Sequence, residues 1–495
     1  MMRRRKKLGR SRSGSFLQPG IAIVFLALAI AGCATVGPVY TPPEVQVPSR
    51  WNGELRKGVT EEPADPAVLA RWWTTFDDPA LDRLMEQAVD GSLTLKEAHA
   101  RVKEARARRR IGKAGLYPTV EVSGSITRQK GSRDTGGGLI TDLYNAGFDA
   151  NWELDFFGRV RRSVEAADAD LQAREESLRD AMVSLLAEVA SEYIQMRTYQ
   201  ERLATAQKNL KALEETYELV RFRSEAGLVD ELDLQQASYN MESSRSQIPA
   251  LRSGVDSTLN SLAILLGRNP GSVHDVPRDR GPIPVAPPSI AVGVPADALR
   301  QRPDVRRAER DLAAQAARVG VATADFYPKF SLLGSIGLES LSGGSLFSSG
   351  ARTYSVGPTV SWPIFDAGAI RGNIEVQSAL QEQALIAYQS AVLGALKDVQ
   401  NALVAYSEER HRRDALLQSA KAAEQALSLA QDKYKAGLVG FLTVLDAQRS
   451  LFSIQDQLAA SEGTVTTNVV RLYKALGGGW TPLASESGSP TKTGR

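Results

Sequence analysis

The strongest constraint on the fold of this chain is an internal repeat at a fixed offset of 210 residues. Tyr117 and Pro118 recur at this offset as Tyr327 and Pro328. Further matches at the same offset are Trp152 with Trp362, Gly158 with Gly368, Ala226-Gly227-Leu228-Val229 with Ala436-Gly437-Leu438-Val439, and Leu266-Gly267 with Leu476-Gly477. One offset, without a gap, relates about 150 residues, so the chain consists of two copies of one structural unit.

The first 32 residues have the composition of a secretory signal peptide. They contain seven Lys and Arg, no acidic residue, and the apolar run IAIVFLALAIA at 21–31. That run is too short for a transmembrane helix, which needs about 20 residues. Without this leader, 60 Lys+Arg against 57 Asp+Glu becomes 53 against 57. The basic excess therefore lies in the leader, and a nucleic-acid partner is not expected.

Cys33 is the single cysteine of the chain and follows Ile30-Ala31-Gly32. The four residues Ile30 to Cys33 resemble the lipobox of bacterial lipoproteins. In that motif the cysteine becomes the first residue of the processed protein, and its thiol carries a diacylglycerol. The resemblance implies that Cys33 is a lipid-attachment site. Ala34 at the next position implies sorting to the outer membrane.

The chain carries no recognisable catalytic motif. Sequences of the HExxH, GxSxG and GxxxxGK[ST] types are absent, and His99, His274 and His411 are far apart. One cysteine allows neither an intramolecular disulfide nor a cysteine metal cluster. We therefore predict no enzyme activity, no catalytic residue and no metal site.

The repeat and the composition together predict a domain organisation. The expected segments are 1–32 (lipoprotein signal peptide), 33–92 (lipid-anchored N-terminal segment), 93–269 (first copy), 270–303 (Pro-rich linker), 304–478 (second copy) and 479–495 (C-terminal tail). Each copy has the order helix, two strands, long helix, turn and helix. The stretch between Gly158 and Gly227 lacks Gly and Pro, which predicts a helix of about 100 Å.

Strict alternation of apolar and polar residues predicts two strands in each copy. The expected strands cover about 118–130, 142–154, 328–339 and 352–364. A half-buried soluble sheet would alternate in the same way, but the signal peptide and lipobox favour an outer-membrane barrel. Four strands cannot close a barrel, so the chain is expected to oligomerise. Eight, twelve or sixteen strands remain open for two, three or four chains.

Six motifs resemble, in order, the outer-membrane efflux protein family, which comprises the TolC-like outer-membrane factors. The match is to its NodT-type lipoprotein branch and covers nearly all of the chain after Cys33. The motifs are VGPVYTP at 36–42, WWTTFDDPAL at 72–81, ANWELDFFGR at 150–159, RPDV at 302–305, YKAGL at 434–438 and LDAQ at 445–448. The branch usually has Asp where Val39 stands.

The resemblance implies a mostly α fold with a small transmembrane β part. It implies a homotrimer with a twelve-stranded β-barrel in the outer membrane, continued by a twelve-helix periplasmic α-barrel. An equatorial belt around that α-barrel would be built from 33–92, the linker 270–303 and the tail 479–495, which is equatorial or disordered. It also implies a passive exit duct without a cofactor, for drugs or other small molecules. A proton-driven RND-type pump in the inner membrane would deliver these molecules to the duct through a periplasmic adaptor.

Two other functions remain open for this fold. The first is the outer-membrane duct of a type I protein secretion system, which shares the fold. The lipobox and the VGP start favour small-molecule efflux instead. The second is a structural coiled-coil lipoprotein that spans the periplasm. Two helical hairpins with four alternating strands argue against it.

The resemblance also assigns functional residues at the ends of the hairpins. The turns Ala226-Gly227-Leu228-Val229 and Ala436-Gly437-Leu438-Val439 would face the adaptor. Leu442, Asp446 and Arg449 share one helix face because they are spaced by four and three residues. Residues matching Leu442 and Asp446 form constrictions around the threefold axis, and those matching Arg449 and Tyr434 hold the inner helices through polar links. The alternative for Asp446 and Arg449 is an exposed ion pair. At offset 210 the first copy has Leu232, Gln236 and Tyr239, so only the leucine is kept.

Overall fold

The computed structural model describes residues 35–44, 46–52, 58–63, 65–273 and 281–480. The expected signal peptide, Cys33, and residues 481–495 of the expected tail lie outside the described residues. The described residues form two compact units. The first contains 35–41, Ala107–Ala169 and Ala313–Glu382, and the second contains the remainder.

The described residues are mostly helical, as expected. The helices are α1 (Pro66–Ala70), α2 (Pro79–Gly91), α3 (Leu93–Ala114), α4 (Arg133–Gly136), α5 (Arg159–Glu225), α6 (Glu231–Leu265), α7 (Pro295–Gln301), α8 (Pro303–Ala324), α9 (Ala369–Lys435) and α10 (Phe441–Ala475). The strands are β1 (Val59–Thr60), β2 (Thr119–Lys130), β3 (Ile140–Leu154), β4 (Ile290–Ala291), β5 (Lys329–Ser340) and β6 (Arg352–Ser361).

The repeat is visible in the bounds of these elements. Helices α3 and α8, strands β2 and β5, helices α5 and α9, and helices α6 and α10 each differ by 210 at both ends. The strand pair β3 and β6 is less regular, because β6 ends at Ser361 rather than near residue 364. Pro363 lies just beyond this end and has no N–H to donate to a ladder.

In the first unit, β2, β3, β5 and β6 form one antiparallel sheet in that order. The register aligns Val122, Phe148, Ile336 and Tyr354 in one row across all four strands. These apolar side chains are 54–81% exposed in the single chain. The sheet therefore presents a continuous apolar face that no other part of the described chain covers.

The opposite face of this sheet is polar. One row across it contains Glu121, Asp149, Ser335 and Ser355. The hydroxyl of Ser123 donates to the Asp149 carboxylate at 2.6 Å, and the Ser335 and Ser355 hydroxyls lie 2.9 Å apart. Strands β2 and β6 each have one neighbour in the sheet, so both edges are open.

The segment that follows Cys33 packs at the start of α5, also in the first unit. The N–H of Val36 donates to the carbonyl oxygen of Phe157 at 3.1 Å. The buried guanidinium of Arg162 donates to the carbonyls of Val36 and Gly37. Thr35 lies so close to Gly158, at φ +83°, that a side chain at residue 158 would collide with it. The segment from Thr35 to Gly37 is thus fixed beside the junction of β3 and α5.

In the second unit, the WWTTFDDPAL motif contributes Trp72, Trp73, Phe76 and Leu81 to the main hydrophobic core. Trp72 is fully buried and stacks on Tyr473 at a ring distance of 5.5 Å. Asp77 adopts a left-handed conformation (φ 50°), and Asp78 then caps α2 by accepting from the N–H groups of Ala80 and Leu81. Left-handed backbone and N-capping are both favourable for Asp, which explains the residue types of the motif.

Asp78 also connects α2 to α5. It accepts a hydrogen bond from the Tyr193 hydroxyl at 2.7 Å, and that hydroxyl accepts from Arg197 at 3.0 Å. Burial and the bond to Asp78 raise the pKa of Tyr193 to about 12. The phenol therefore stays protonated at neutral pH and remains a donor to Asp78.

The RPDV motif connects the linker to the C-terminal end of α10. Arg302 donates to the carbonyl of Ala475 at 2.9 Å and to the carboxylates of Asp304 and Asp398 at 2.7 and 3.1 Å. Burial acts to raise the pKa of Asp304, but the Arg302 guanidinium and the N–H of Val305 together outweigh burial and lower this pKa below its ordinary value. Strands β1 and β4 pair in parallel, which connects the N-terminal segment to the linker.

Judged by length and hydropathy, none of the helices in the described ranges could cross a bilayer.

Candidate functional site: the two hairpin ends

Both hairpin turns are helix C-terminal caps of the Schellman type. Gly227 has φ 70°, its N–H donates to Ser224, and the N–H of Leu228 donates to the carbonyl of Arg223. Gly437 has φ 71°, and the bonds to Tyr434 and Lys433 repeat the pattern. A Cβ at either glycine would meet no atom within 4 Å, so backbone conformation rather than space requires glycine here.

The two turns differ at the start of the following helix. Asp230 caps α6, because its carboxylate accepts from the N–H of Asp233 at 3.0 Å. The equivalent cap of α10 is Gly440, which has no side chain to accept a bond. Leu228 and Leu438 are 67% and 74% exposed at the apices of the turns. Both leucines are therefore available to a partner.

Arg449 does more than form an exposed ion pair with Asp446. The distance from its Nη1 to the Asp446 carboxylate is 3.8 Å, longer than a hydrogen bond, and both side chains are at least half exposed. Its Nε instead donates to the side-chain oxygen of Asn240 at 2.7 Å, and its guanidinium lies 5.6 Å from the ring of Tyr239. Arg449 thus links α10 of the second hairpin to α6 of the first.

The structure places Leu442 and Tyr434 in different surroundings. Leu442 is 51% exposed, next to the buried Phe441. Tyr434 packs its ring against Phe441 at 5.5 Å and lies under the guanidinium of Arg223 at 5.0 Å. Its hydroxyl is buried and has no hydrogen-bond partner among the described residues. The ring, rather than a polar bond, connects Tyr434 to the first hairpin.

Two further links between the hairpins were not predicted from the sequence. Gln448 donates to the hydroxyl of Thr216 at 3.1 Å, and Arg202 forms a two-bond ion pair with Asp456 at 2.8 and 2.9 Å. Comparison of the two copies could have indicated these links. At offset 210, Gln448 and Asp456 are replaced by Ser238 and Ser246, so the copies differ where the hairpins meet.

An apolar cluster lies beside these links at the turn end of the hairpins, and we call it the tip cluster. Its buried members come from all four long helices: Val220, Ala237, Ala430, Phe441, Val444 and Leu445. It is separate from the main core of the second unit. The two hairpins are therefore held together at their ends by a small apolar contact and a few polar links.

No metal site accompanies this arrangement within the described residues, since no three His, Cys, Asp or Glu side chains are grouped to hold an ion.

Comparison with known proteins gives one consistent family. The profile described as "Outer membrane efflux protein" matches residues 84–268 and 294–478, two stretches separated by the same offset of 210. Nodulation protein T of Rhizobium leguminosarum bv. trifolii is 34% identical over 468 residues, which cover 93% of this chain and 97% of that protein. The toluene efflux pump outer membrane protein TtgI of Pseudomonas putida is 32% identical, over 92% of this chain and 97% of its own length.

Solved structures agree with this result. The outer-membrane channel OprN superposes with a TM-score of 0.85 at 35% identity, covering 91% of this chain and all of that chain. The fold of the chain is thus that of the TolC-like outer-membrane channels, as the motifs predicted. The repeat, the two hairpins, the four-stranded sheet and these matches together establish that the chain belongs to the outer membrane efflux protein family, whose members are non-enzymatic channels of the outer membrane.

Proposed function

We propose that this chain forms the exit duct of a tripartite efflux system. It is a passive channel that receives drugs or other small molecules from a proton-driven RND-type pump through a periplasmic adaptor. The observation that carries the proposal is the sheet of the first unit, in a chain of an efflux family. One face of the sheet is apolar and uncovered, the other is polar, and both edges are open.

A homotrimer would account for the open edges and for the two different faces of the sheet. Three successive antiparallel pairings make β2 and β6 run in opposite directions. The open edge of β6 in one chain can therefore pair antiparallel with β2 of the next chain. Three chains give a closed barrel of twelve strands, in which no backbone group faces lipid unpaired. The row with Val122 and Phe148 then faces lipid, and the row with Glu121 and Asp149 faces the lumen.

The duct proposal is tested by deletion and reconstitution. A strain without the gene should become sensitive to several unrelated drugs, and the wild-type gene should restore resistance only when the adaptor and pump are present. The purified protein should run as a trimer and form ion-conducting pores in planar bilayers. If the deletion instead blocks export of a polypeptide and leaves drug resistance unchanged, the protein is the outer-membrane duct of a type I secretion system.

A lipid anchor at Cys33 is supported by the position of the next residues. Thr35 lies against Gly158 at the junction of β3 and α5. Two residues of extended chain reach about 7 Å at most. An acylated Cys33 would therefore lie close to the end of the sheet that leads into α5, where its acyl chains could enter the outer-membrane lipid together with the apolar face.

Replacing Cys33 by Ser should abolish acylation, because serine lacks the thiol that carries the diacylglycerol. Cells grown with labelled palmitate should show label on the wild-type protein and none on Cys33→Ser. We expect the variant trimer still to insert, since the sheet itself is in the membrane. A wild-type protein that takes up no label would contradict the lipid anchor.

The hairpin ends would perform two tasks in this duct. The turns around Leu228 and Leu438 would dock the adaptor, and Leu442 and Asp446 of three chains would narrow the periplasmic opening. Arg449 and Tyr434 would hold the second hairpin against the first. Opening would then require these links to break and the second hairpin to move away.

A further inference from the structure

The two ends of the four-stranded sheet are connected differently. Strands β2 and β5 begin after helices α3 and α8, and β3 and β6 lead into α5 and α9, so the helices join the sheet at one end. The connections 131–139 and 341–351 lie at the other end, which we call the loop end. In an outer-membrane barrel with periplasmic helices, the loop end is the extracellular end.

The apolar face of the sheet becomes charged at the loop end. Arg128, Lys130, Asp142 and Arg352 occupy the same alternate positions as Val122, so they point to the same side. Arg128 is 74% exposed, and its Nε lies 3.3 Å from the Asp142 carboxylate. The positions of this face at the helix end of the strands are uncharged: Val120, Trp152, Leu154, Phe330, Leu332 and Val360. Three basic side chains and one acidic side chain therefore follow the apolar band on its extracellular side.

The two copies of the repeat differ at these positions. At offset 210, Arg128 corresponds to Leu338, Lys130 to Ser340, and Asp142 to Arg352. The basic residues of this face consequently lie on β2 and β6, whereas β3 and β5 have none there. Strands β2 and β6 are the two edges of the sheet. In the trimeric barrel these edges meet, and we call the junction of β6 in one chain with β2 in the next the seam.

The register of the sheet indicates which residues meet at the seam. The row of paired residues that contains Arg352 crosses β2 at Gly124, six residues before β2 ends at Lys130. A stagger of this kind is what closure of a barrel requires. In a threefold barrel whose strands end at one level, the row continues from Arg352 to the loop end of the next β2. Arg352 of one chain then lies beside Arg128 and Lys130 of the next chain.

The side chains at the seam repel one another unless an anion joins them. Like charges opposite each other on neighbouring strands are destabilising, and Asp142 offsets only one of the three positive charges. The nearby connections do not change this balance. The stretch 131–139 adds Arg133 and Asp134, one charge of each sign, and 341–351 contains no charged residue.

An apolar groove starts at Arg352 and continues along the lipid-facing side. Its volume is about 690 Å³, and the large side chains that line it are Val122, Phe148, Ile336, Leu338, Arg352 and Tyr354. Phe148 and Tyr354 are 54% and 81% exposed. An acyl chain fits such a surface, and a phosphate group suits the guanidinium at its end, since arginine binds phosphate through paired hydrogen bonds.

We propose that each seam of the trimer binds a phosphorylated, multiply acylated glycolipid of the outer leaflet. Its phosphates lie between Arg352 of one chain and Arg128 and Lys130 of the next, and its acyl chains lie along the apolar groove. The occupant is a lipid because the basic residues continue the face that contacts lipid, and it belongs to the outer leaflet because they lie at the extracellular end. The inference rests on the trimeric barrel proposed above and is independent of what the duct exports.

The first test measures lipid binding to the purified full-length trimer by native mass spectrometry. The probes are lipid A, lipid A without its phosphates, and phosphatidylglycerol. The wild type should bind up to three lipid A molecules per trimer. Loss of the phosphates, or the triple substitution Arg128→Gln/Lys130→Gln/Arg352→Gln, should weaken binding by about tenfold or more, because several charge-assisted hydrogen bonds are lost. Phosphatidylglycerol should bind less tightly than lipid A.

Two further variants serve as controls for charge and position. Arg128→Lys with Arg352→Lys keeps the positive charges and should retain most of the binding. Lys329→Gln removes a positive charge from the polar face at the helix end of β5, where Lys329 pairs with Ser361. This variant should bind lipid A like the wild type.

The second test measures the temperature at which the trimer dissociates in detergent. Without lipid, the triple glutamine variant should dissociate at the same temperature as the wild type or a higher one, because repulsion at the seam has been removed. Lipid A should raise the dissociation temperature of the wild type and leave that of the triple variant unchanged. A role of these side chains in holding protein groups together would give the opposite result without lipid.

Several outcomes would overturn the inference. Equal binding of lipid A with and without phosphates would do so, as would equal binding by the wild type and the triple variant. A lipid-free triple variant that dissociates at a lower temperature than the wild type, or phosphatidylglycerol that binds as tightly as lipid A, would also refute it. Conductance of the same wild-type sample tests the duct separately. A conducting trimer that binds no lipid A would refute this inference alone, whereas a protein that forms no trimer would refute the proposed barrel.

Discussion

Replacing Leu442 and Asp446 together by alanine is expected to raise the single-channel conductance severalfold. In a trimer, three leucines and three carboxylates would converge at the periplasmic opening, and their truncation would remove both the apolar and the charged constriction. Leu442 is 51% exposed in the single chain. Asp446 is 62% exposed, and its nearest cationic atom is 3.8 Å away. Because an exposed pair contributes only about 0–1 kcal/mol, the double variant should fold and assemble normally.

Planar-bilayer recordings on the purified trimer are the measurement, with sensitivity to a large antibiotic as the cellular readout. The matched control is Leu232→Ala, since Leu232 occupies the equivalent position of the first copy and is 62% exposed. This control should leave the conductance unchanged. If the assembled double variant conducts like the wild type, Leu442 and Asp446 do not form the constriction, which then lies elsewhere.

Replacing Leu228 and Leu438 together by glutamate should make cells as drug-sensitive as a deletion strain. The two leucines are 67% and 74% exposed at the apices of the hairpins, where the single chain leaves them uncovered. If the adaptor covers them, each glutamate would be buried without a partner, which is strongly unfavourable. The turns themselves should persist, because the glycines at φ 70° and 71° are unchanged.

Minimum inhibitory concentrations measure this effect, and immunoblots of unheated samples report trimer abundance, which should not change. The control Leu228→Met with Leu438→Met keeps an apolar surface and should retain efflux. The two single glutamate variants show whether one hairpin or both contact the adaptor. Full efflux in the double glutamate variant would place docking away from the turns.

The structure confirms the features that depend on short stretches of sequence. The turn at Gly227 follows from a left-handed cap that suits glycine, and β2 follows from strict alternation of residues. The repeat extended each of these local predictions to a second site at a known offset. The mostly α fold and the family could therefore be predicted before any coordinates, because periodicity, caps and motif order are properties of neighbouring residues.

Only the tertiary structure decided how the two hairpins meet. Arg449 lies 209 positions from Asn240, and Arg202 lies 254 positions from Asp456. No local pattern selects such partners, because they depend on how whole helix surfaces pack. The sequence placed Tyr434 and Arg449 near the end of a hairpin. Packing alone decides that Arg449 donates to an amide of the other hairpin and that the Tyr434 hydroxyl is buried, with no hydrogen-bond partner among the described residues. Burial is set by every element that surrounds a residue.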